Sequence, residues 1–408
     1  MSKASAGPGS ISDIINSVID DVVEIRRHIH QNPEVSGVEF KTASFIADRL
    51  SVLGIPHKFH INRTAVIGTL QNGKGPIVVL RADIDALPIV EDTGLPFSSV
   101  NAGVMHACGH DMHAACLLGA AEVLDKIKGL WKGTLVFLFQ PQEETEPGGA
   151  SVLIESGAFP LNSDSVFGLH VNADHECGTV GVKKGIDYAG VLAFDILVTG
   201  IGGHGGTPEA AVDPVICISN LVMQMQILIS REKSPFFPAV LTVGSIHAGT
   251  RRNIIPETAS MSGTIRCHSS DYLRDIQKRL SELVVSSCGS FRCKAEVTYE
   301  KPYPPVNNNS DLCDRFTKAF SEFAGKENCI ERPLPTMYAE DFSYYQEKVR
   351  GLYVHLGVRP KKKKSIPALH SPHFSPDEGA LATGIACHVS FVLEMMGKKG
   401  VHAGGSKE

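Results

Sequence analysis

Ile11, Ile14, Ile15, Val18, Ile19, Val22, Ile25 and Ile29 recur at the spacing of one face of a helix. Ser10 or Ser12 can cap the start and Pro33 lies just past the end, so an amphipathic helix is predicted there. A second helix is predicted over residues 41–53, with Phe45, Ile46 and Leu50 inward and Gly54 closing it. The pattern then turns extended. Residues 64–70 and 77–84 read as strands, and the intervening Asn72-Gly73-Lys74-Gly75 predicts a hairpin. A helix rich in small residues follows over 114–124, then strands over 134–139 and 165–170 with a short helix near 148–157 between them.

These strands share a feature: each is apolar until its C-terminal end, where groups able to bind ligands gather. The first carries Arg81, Asp83 and Asp85, the second runs into Glu143 and Glu144, and the third ends on His170. In open α/β sheets ligands sit beyond the carboxyl ends of strands, so these residues are candidates by position.

From about residue 188 the character changes. Strands over 192–198, 239–247 and 258–268, helices over 214–231 and 272–285, and an edge strand near 296–299 suit an antiparallel sheet with two helices on one face. This reads as an α+β domain, 188–300, inserted into an α/β domain made of 1–187 plus 301–408. The glycine-rich stretch around His204 lacks a following Gly-Lys-Ser/Thr, which argues against a phosphate-binding loop. After the insertion come a helix over 310–324, a strand over 351–356 and a last helix over 377–396, with a tail from 397 expected to be disordered.

Composition narrows the class. The chain has 408 residues, 43% of them hydrophobic, and a formal charge of -5, which gives no electrostatic case for nucleic acid or a membrane surface. Residues 1–10 lack an apolar core and read as neither signal peptide nor anchor. Ten cysteines are spread without a Cys-x-x-Cys pair, which suits reduced core thiols and a cytoplasmic protein. The run Lys361 to Lys364 reads as solvated surface.

The densest chemistry lies in Met105-His106-Ala107-Cys108-Gly109-His110-Asp111-Met112-His113. A thiolate and an imidazole two positions apart can address one borderline metal ion, zinc first. Joined by Glu144, His170 and His370, Cys108 and His110 make five donors, enough for two ions bridged by Cys108 or by a water. Glu143, adjacent to a ligand and not itself one, could take a proton from water and pass it to a leaving amine.

Separated motifs in this order resemble the dinuclear-zinc aminoacylase and carboxypeptidase superfamily, in its amidohydrolase branch. They are Arg81-Ala82-Asp83-Ile84-Asp85-Ala86-Leu87-Pro88, His106-Ala107-Cys108-Gly109-His110-Asp111, Gln140-Pro141-Gln142-Glu143-Glu144, Gly168-Leu169-His170, Gly203-His204, Asn253-Ile254-Ile255-Pro256, Glu340-Asp341-Phe342-Ser343-Tyr344 and Leu369-His370. The resemblance implies an α/β, mixed-sheet zinc-peptidase-like catalytic domain with an inserted lid and dimerisation domain. It implies metal ligands at Cys108, His110, Glu144, His170 and His370, Glu143 as general base and acid, and a homodimer. His204 would reach a substrate oxygen, and Asn253 and Arg266 would hold a substrate carboxylate. Where the wider superfamily has a metal-binding histidine this chain has Arg81, so Asp83 is expected to orient a ligand and not to bind metal. Met112 stands where the branch usually has glycine.

The expected activity is metal-dependent hydrolysis of small N-acyl amino acids, with zinc ahead of manganese, cobalt or nickel. Two rivals are a metallocarboxypeptidase or dipeptidase acting on short peptides, and a metal-binding protein without catalysis.

Overall fold

The computed structural model describes residues 10–397; the expectations for 1–9 and for the tail from 398 lie outside them. The chain divides into two compact units. The first comprises the described residues up to Gly185, Asn307–Leu334 and the described residues from Tyr344 on. The second comprises Ile186–Val306 and Pro335–Ser343, so it takes in 186–187, 301–306 and 335–343, which the expected division gave to the first.

The first unit is a mixed α/β layer structure. Helix α1 (Ile11–Gln31) opens with a capping box between Ser10 and Asp13 and buries Ile11, Ile15, Val18, Val22, Ile25 and Ile29. Helix α2 spans Phe40–Val52 and α3 spans His110–Lys126. Strands β1 (His57–His60), β2 (Ala65–Asn72), β3 (Ile77–Asp83), β4 (Gly133–Gln140) and β5 (Ser165–Glu176) belong to one eight-stranded sheet. Its order is β1-β2-β4-β3-β5, then Gly351–Arg359, Val180–Val182 and Cys329–Glu331. Strand β3 pairs in parallel with β4 on one side and β5 on the other. Its near-continuous apolar run follows from that central place, since helices cover both faces of a parallel sheet core. α3 is buried almost throughout because it packs between the sheet and α1, which is why small side chains dominate it.

Two expectations are corrected. β2 and β3 do not form a hairpin: β4 lies between them, antiparallel to β2 and parallel to β3. The turn at Asn72 to Gly75 therefore spans two strand spacings, and it passes so close to β4 that a Cβ on Gly75 would stand 2.6 Å from the Lys132 carbonyl oxygen. Local turn chemistry signalled a reversal correctly, but a later strand took the pairing. Second, β5 does not stop at His170; it continues to Glu176, placing His170 in mid-strand.

The second unit is a four-stranded antiparallel sheet ordered Ala239–Ala248, Thr258–Cys267, Gly190–Thr199, Lys294–Tyr299. Helices Pro214–Ser230 and Ser270–Ser290 share one core with Leu192, Phe194, Ile196 and Val198 of the central strand. The alternate residues Asp195 and Leu197 are exposed, as a sheet covered on one face requires.

Candidate metal centre

The centre is built from the start of α3, the loops holding Cys108, Glu144 and His370, and the middle of β5, in the first unit. The chain reaches α3 through a loop whose Met105 exchanges both backbone hydrogen bonds with Leu87, at 3.0 Å each. Gly109 is the N-cap of α3 with φ +83°, and a Cβ there would lie 2.6 Å from Cγ2 of Val171. Only glycine meets both conditions without strain. The tight turn aims Cys108 and His110 at the same space. His370 joins them from the far end of the chain: its N–H donates to the Ala107 carbonyl at 2.9 Å, and its own φ is +64°.

The five expected donors converge. Cys108 Sγ lies 3.4 Å from His170 Nε2 and 3.3 Å from His370 Nε2. Glu144 Oε1 lies 3.3 Å from His370 Nε2 and 3.9 Å from His110 Nε2. The donors fall into two sets that share Cys108: Cys108, His110 and His170, and Cys108, Glu144 and His370. Within each set the candidate atoms lie within 4.8 Å of one another. Glu143, buried, reaches the same spacing with His110 and Glu144.

Hydrogen bonds set the imidazoles for ligation. His110 Nδ1 donates to the Asp85 carbonyl at 2.9 Å, with the Asp85 carboxylate 3.2 Å away, and His170 Nδ1 donates to the Val171 carbonyl at 2.8 Å. Each ring thereby turns its Nε2 toward Cys108 or Glu144. His113 does the opposite. Its Nε2 accepts the Val171 N–H at 3.0 Å and its Nδ1 donates to Asp83, so both nitrogens are engaged and His113 is a support, not a ligand.

Asp83 is fully buried, paired with Arg81 Nη1 at 2.8 Å and bonded to His113. It also stands 3.7 Å from His110 Nε2. Arg81 Nε donates to Gln140 Oε1 at 2.9 Å, and the Tyr345 hydroxyl donates to the same oxygen at 3.0 Å. The guanidinium thus joins Asp83 and Gln140, the last residues of β3 and β4.

The electrostatics ask for a cation. Burial, then the carboxylates of Glu144 and Glu143, push the Cys108 thiol well above its ordinary value. Burial alone would lower His110, yet Asp83 and Asp85 outweigh it and raise it to about 10. His110 Nε2 and Glu144 Oε1 are buried and satisfied by no hydrogen bond among the described residues. Buried polar atoms seldom go unpartnered, and here two of them face each other across 3.9 Å. A thiol, three imidazoles and a carboxylate around two orphaned atoms fit a pair of divalent ions.

The remaining expected residues lie in the second unit. His204 and Asn253 are brought together on a short two-stranded ribbon: His204 pairs with Ile254, and the Gly205 N–H donates to the Asn253 carbonyl at 2.9 Å. Both side chains are exposed. Arg266, half-buried on Thr258–Cys267, donates from Nη1 to the Met337 carbonyl at 2.9 Å. Met112 is fully buried in the hydrophobic core of the first unit.

Sequence reasoning missed the supports. His113 stands one helical turn from His110, and that spacing puts both rings on one face, a signal that could have been used. The buried ion pair of Arg26 with Asp111 at 2.8 Å, which His30 joins at 2.8 Å from the same carboxylate oxygen, ties α1 to the first turn of α3. Nothing in a single sequence pairs residues so far apart.

Known proteins share this arrangement of chain. The Arabidopsis thaliana protein IAA-amino acid hydrolase ILR1-like 2 is 36% identical over 386 residues, covering 94% of this chain and 87% of its own. Thermostable carboxypeptidase 2 of Saccharolobus solfataricus is 37% identical over 389 residues, covering 94% and 98%. Among solved structures, the Bacillus subtilis YXEP protein, described as a dinuclear metal binding peptidase from the M20 family, superposes with a TM-score of 0.78 at 30% identity, covering 93% of this chain and 98% of that one. The model of peptidase family M20/M25/M40 matches residues 79–394, a span that holds every donor described above. The chain belongs to that family of hydrolases.

Proposed function

We propose that this protein hydrolyses the amide bond of small N-acyl amino acids, giving a carboxylic acid and a free amino acid. The observation that carries the reading is a buried carboxylate, Glu143, beside a five-donor centre and within 4.8 Å of His110 Nε2 or Nδ1 and a Glu144 oxygen. Cys108, His110 and His170 would hold one ion and Cys108, Glu144 and His370 the other, with a thiolate favouring zinc over manganese, cobalt or nickel. Bound there, the ions supply Lewis acidity that polarises an amide carbonyl and lowers the pKa of water to about 7.

The chain's own residues do the rest. Glu143 takes a proton from the attacking water and returns it to the departing amine nitrogen, so the C–N bond breaks without an acyl-enzyme. Asp85 and Asp83 hold His110 and His113 in place. In the second unit, His204 would donate to the oxygen that gains charge, and Asn253 and Arg266 would bind the substrate carboxylate. The adjacency of His204 and Asn253 supports a common role, and the guanidinium fork of Arg266 suits a carboxylate.

A homodimer through the second unit is part of the proposal. Its support is the edge strand Ala239–Ala248, on which Val240 and Ile246 are exposed, together with exposed Leu197 two strands away on the uncovered face of that sheet. All ten cysteines are free thiols, which supports a reducing, cytoplasmic setting. No helix among the described residues is long and apolar enough to cross a membrane.

The test is hydrolysis of N-acetyl, N-benzoyl and N-indoleacetyl amino acids and of dipeptides by metal-reconstituted protein, with Glu143→Ala as control. Cleavage of acyl amino acids, abolished in the control, supports the reading. The second reading, a carboxypeptidase or dipeptidase, is favoured by the 37% identity to a carboxypeptidase, and preference for dipeptides would select it. Silence across the panel with metal bound would leave a metal-binding protein without catalysis.

A further inference from the structure

Glu39 sits at the N-cap of α2 and makes no capping hydrogen bond with its side chain. The position is one where an acidic side chain normally serves the helix. Here the helix is served by another residue: Glu34 Oε2 accepts the N–H groups of Lys41 and Thr42 at 2.9 Å each and the Thr42 hydroxyl at 3.0 Å. Glu39, wholly buried, turns its carboxylate away from α2 instead.

It turns toward the loop that carries Glu143. Glu39 Oε1 accepts the Gln142 N–H at 2.9 Å and the Gly37 N–H at 2.9 Å. Gln142 has φ +57°, a left-handed conformation that costs a non-glycine residue energy and persists only where neighbours impose it. The neighbours impose it from both sides. Its N–H is held by Glu39, its carbonyl accepts the Gly149 N–H at 2.8 Å, and two residues on, the Glu144 N–H donates to Asp85 Oδ2 at 3.0 Å. Ser36, three residues before Glu39, donates to that same Asp85 oxygen at 2.7 Å. The peptide bearing Glu143 is therefore clamped between two buried carboxylates, Glu39 at the Gln142 N–H and Asp85 at the Glu144 N–H.

We infer that Glu39 is a positioning residue for the reaction: by holding the Gln142 N–H it fixes the strained turn at Gln142 and so the aim of the Glu143 carboxylate. The contribution is one of reach, since the contact is a single acceptor oxygen on a backbone N–H. Reach, not charge, is the property assigned to Glu39, although the Gln142 and Gly37 N–H groups favour its ionised form. Burial, with Asp85 nearby, raises this carboxyl to about 7, and among the described residues its Oε2 has no hydrogen-bond partner. A neutral amide of the same length would make the same contact.

This inference rests on the hydrolase reading for its catalytic part, and the experiment separates the two. Glu39→Gln keeps the reach and removes the charge; Glu39→Asp keeps the charge and shortens the reach; Glu39→Ala removes both. Metal content, thermal midpoint, hydrogen–deuterium exchange of the peptide containing Gln142, kcat and KM are measured for each. The expected result is that Glu39→Gln stays within about threefold of the parent in kcat, whereas Glu39→Asp and Glu39→Ala lose up to about a hundredfold in kcat, with KM and metal content unchanged. Exchange at the Gln142 amide should rise in the two shortened variants and not in Glu39→Gln. Equal exchange in all variants, loss of kcat in Glu39→Gln as deep as in Glu39→Asp, or loss of metal from a folded variant would each overturn the inference. If a shortened variant fails to fold, the other carries the comparison, and if both fail while Glu39→Gln is stable, the role is structural and the inference is overturned. A parent protein with no turnover on any substrate would sink the hydrolase reading instead, and the exchange data would still decide whether Glu39 holds the loop.

Discussion

Asp85 and His110 are joined twice: the imidazole Nδ1 lies 2.9 Å from the Asp85 carbonyl oxygen and 3.2 Å from its carboxylate. The second carboxylate oxygen of Asp85 takes the Glu144 N–H at 3.0 Å. One residue outside the two donor sets thereby aims two within them. Removing such a support typically costs 10- to 100-fold in metal affinity. Asp85→Ala should lose metal to a chelator at about that much lower chelator concentration, read by competition titration, while the reference variant Asp195→Ala, an exposed position in the second unit, should not.

Glu143 stands among the donors without belonging to either of the two sets that share Cys108. Glu143→Ala should keep the parent's metal content by elemental analysis and lose about 10²- to 10⁴-fold in kcat, the range for a general acid–base group. Loss of metal alongside activity would make Glu143 a ligand.

The His110 shift gives a pH dependence for the metal-free protein. Its folded value is raised to about 10 from an ordinary 6.5. A group raised on folding contributes stability that is complete below the unfolded value and is lost as pH climbs through the folded one. Metal-free protein should therefore lose thermal stability as pH rises from about 6.5 to about 10, by scanning calorimetry. Metal binding must displace that proton and the one on Cys108, so affinity should rise over the same interval and binding should release protons. Calorimetric titration in buffers of different ionisation enthalpy measures that release.

Gly109 admits no side chain. With φ +83° and Val171 Cγ2 at 2.6 Å from a would-be Cβ, Gly109→Ala should destabilise the fold by about 1–3 kcal/mol in denaturant titration and should weaken metal binding, because His110 starts the helix that Gly109 caps.

If Arg266 holds a substrate carboxylate, Arg266→Lys should raise KM by about tenfold with a smaller change in kcat, since an ammonium cannot reproduce a bidentate fork. Equal loss in kcat and kcat/KM would place Arg266 at the transition state instead.

The helices were legible in the chain because their periodicity is local: α1 and Ser310–Ala324 follow the apolar spacing and caps closely. The donors were legible because strand tips and the Cys108 to His110 stretch advertise themselves by residue type. What the chain did not disclose was partnership. The Asn72-Gly73 turn reads as a hairpin until β4 claims both edges, and β5 reads as ending at His170 because its continuation to Glu176 is polar. In the chain Asp85 is a candidate only by its place at a strand tip and His113 only one histidine of the Met105 to His113 stretch, since their roles exist through contacts with residues distant in sequence. Glu39 is the sharpest case: its place at a helix start suggests a cap, and only the structure shows the cap supplied by Glu34.

The insertion of β4 between β2 and β3 also bears on how the protein is made. While the ribosome is still short of residue 133, β2 and β3 have emerged with the edges that β4 will fill still open. His370 follows Cys108 by 262 positions, so a nascent chain exposes Cys108 and His110 long before the last donor arrives. Newly made protein must therefore pass through a stage with a thiol and an open sheet edge both uncovered, the stage at which oxidation or aggregation during translation would strike.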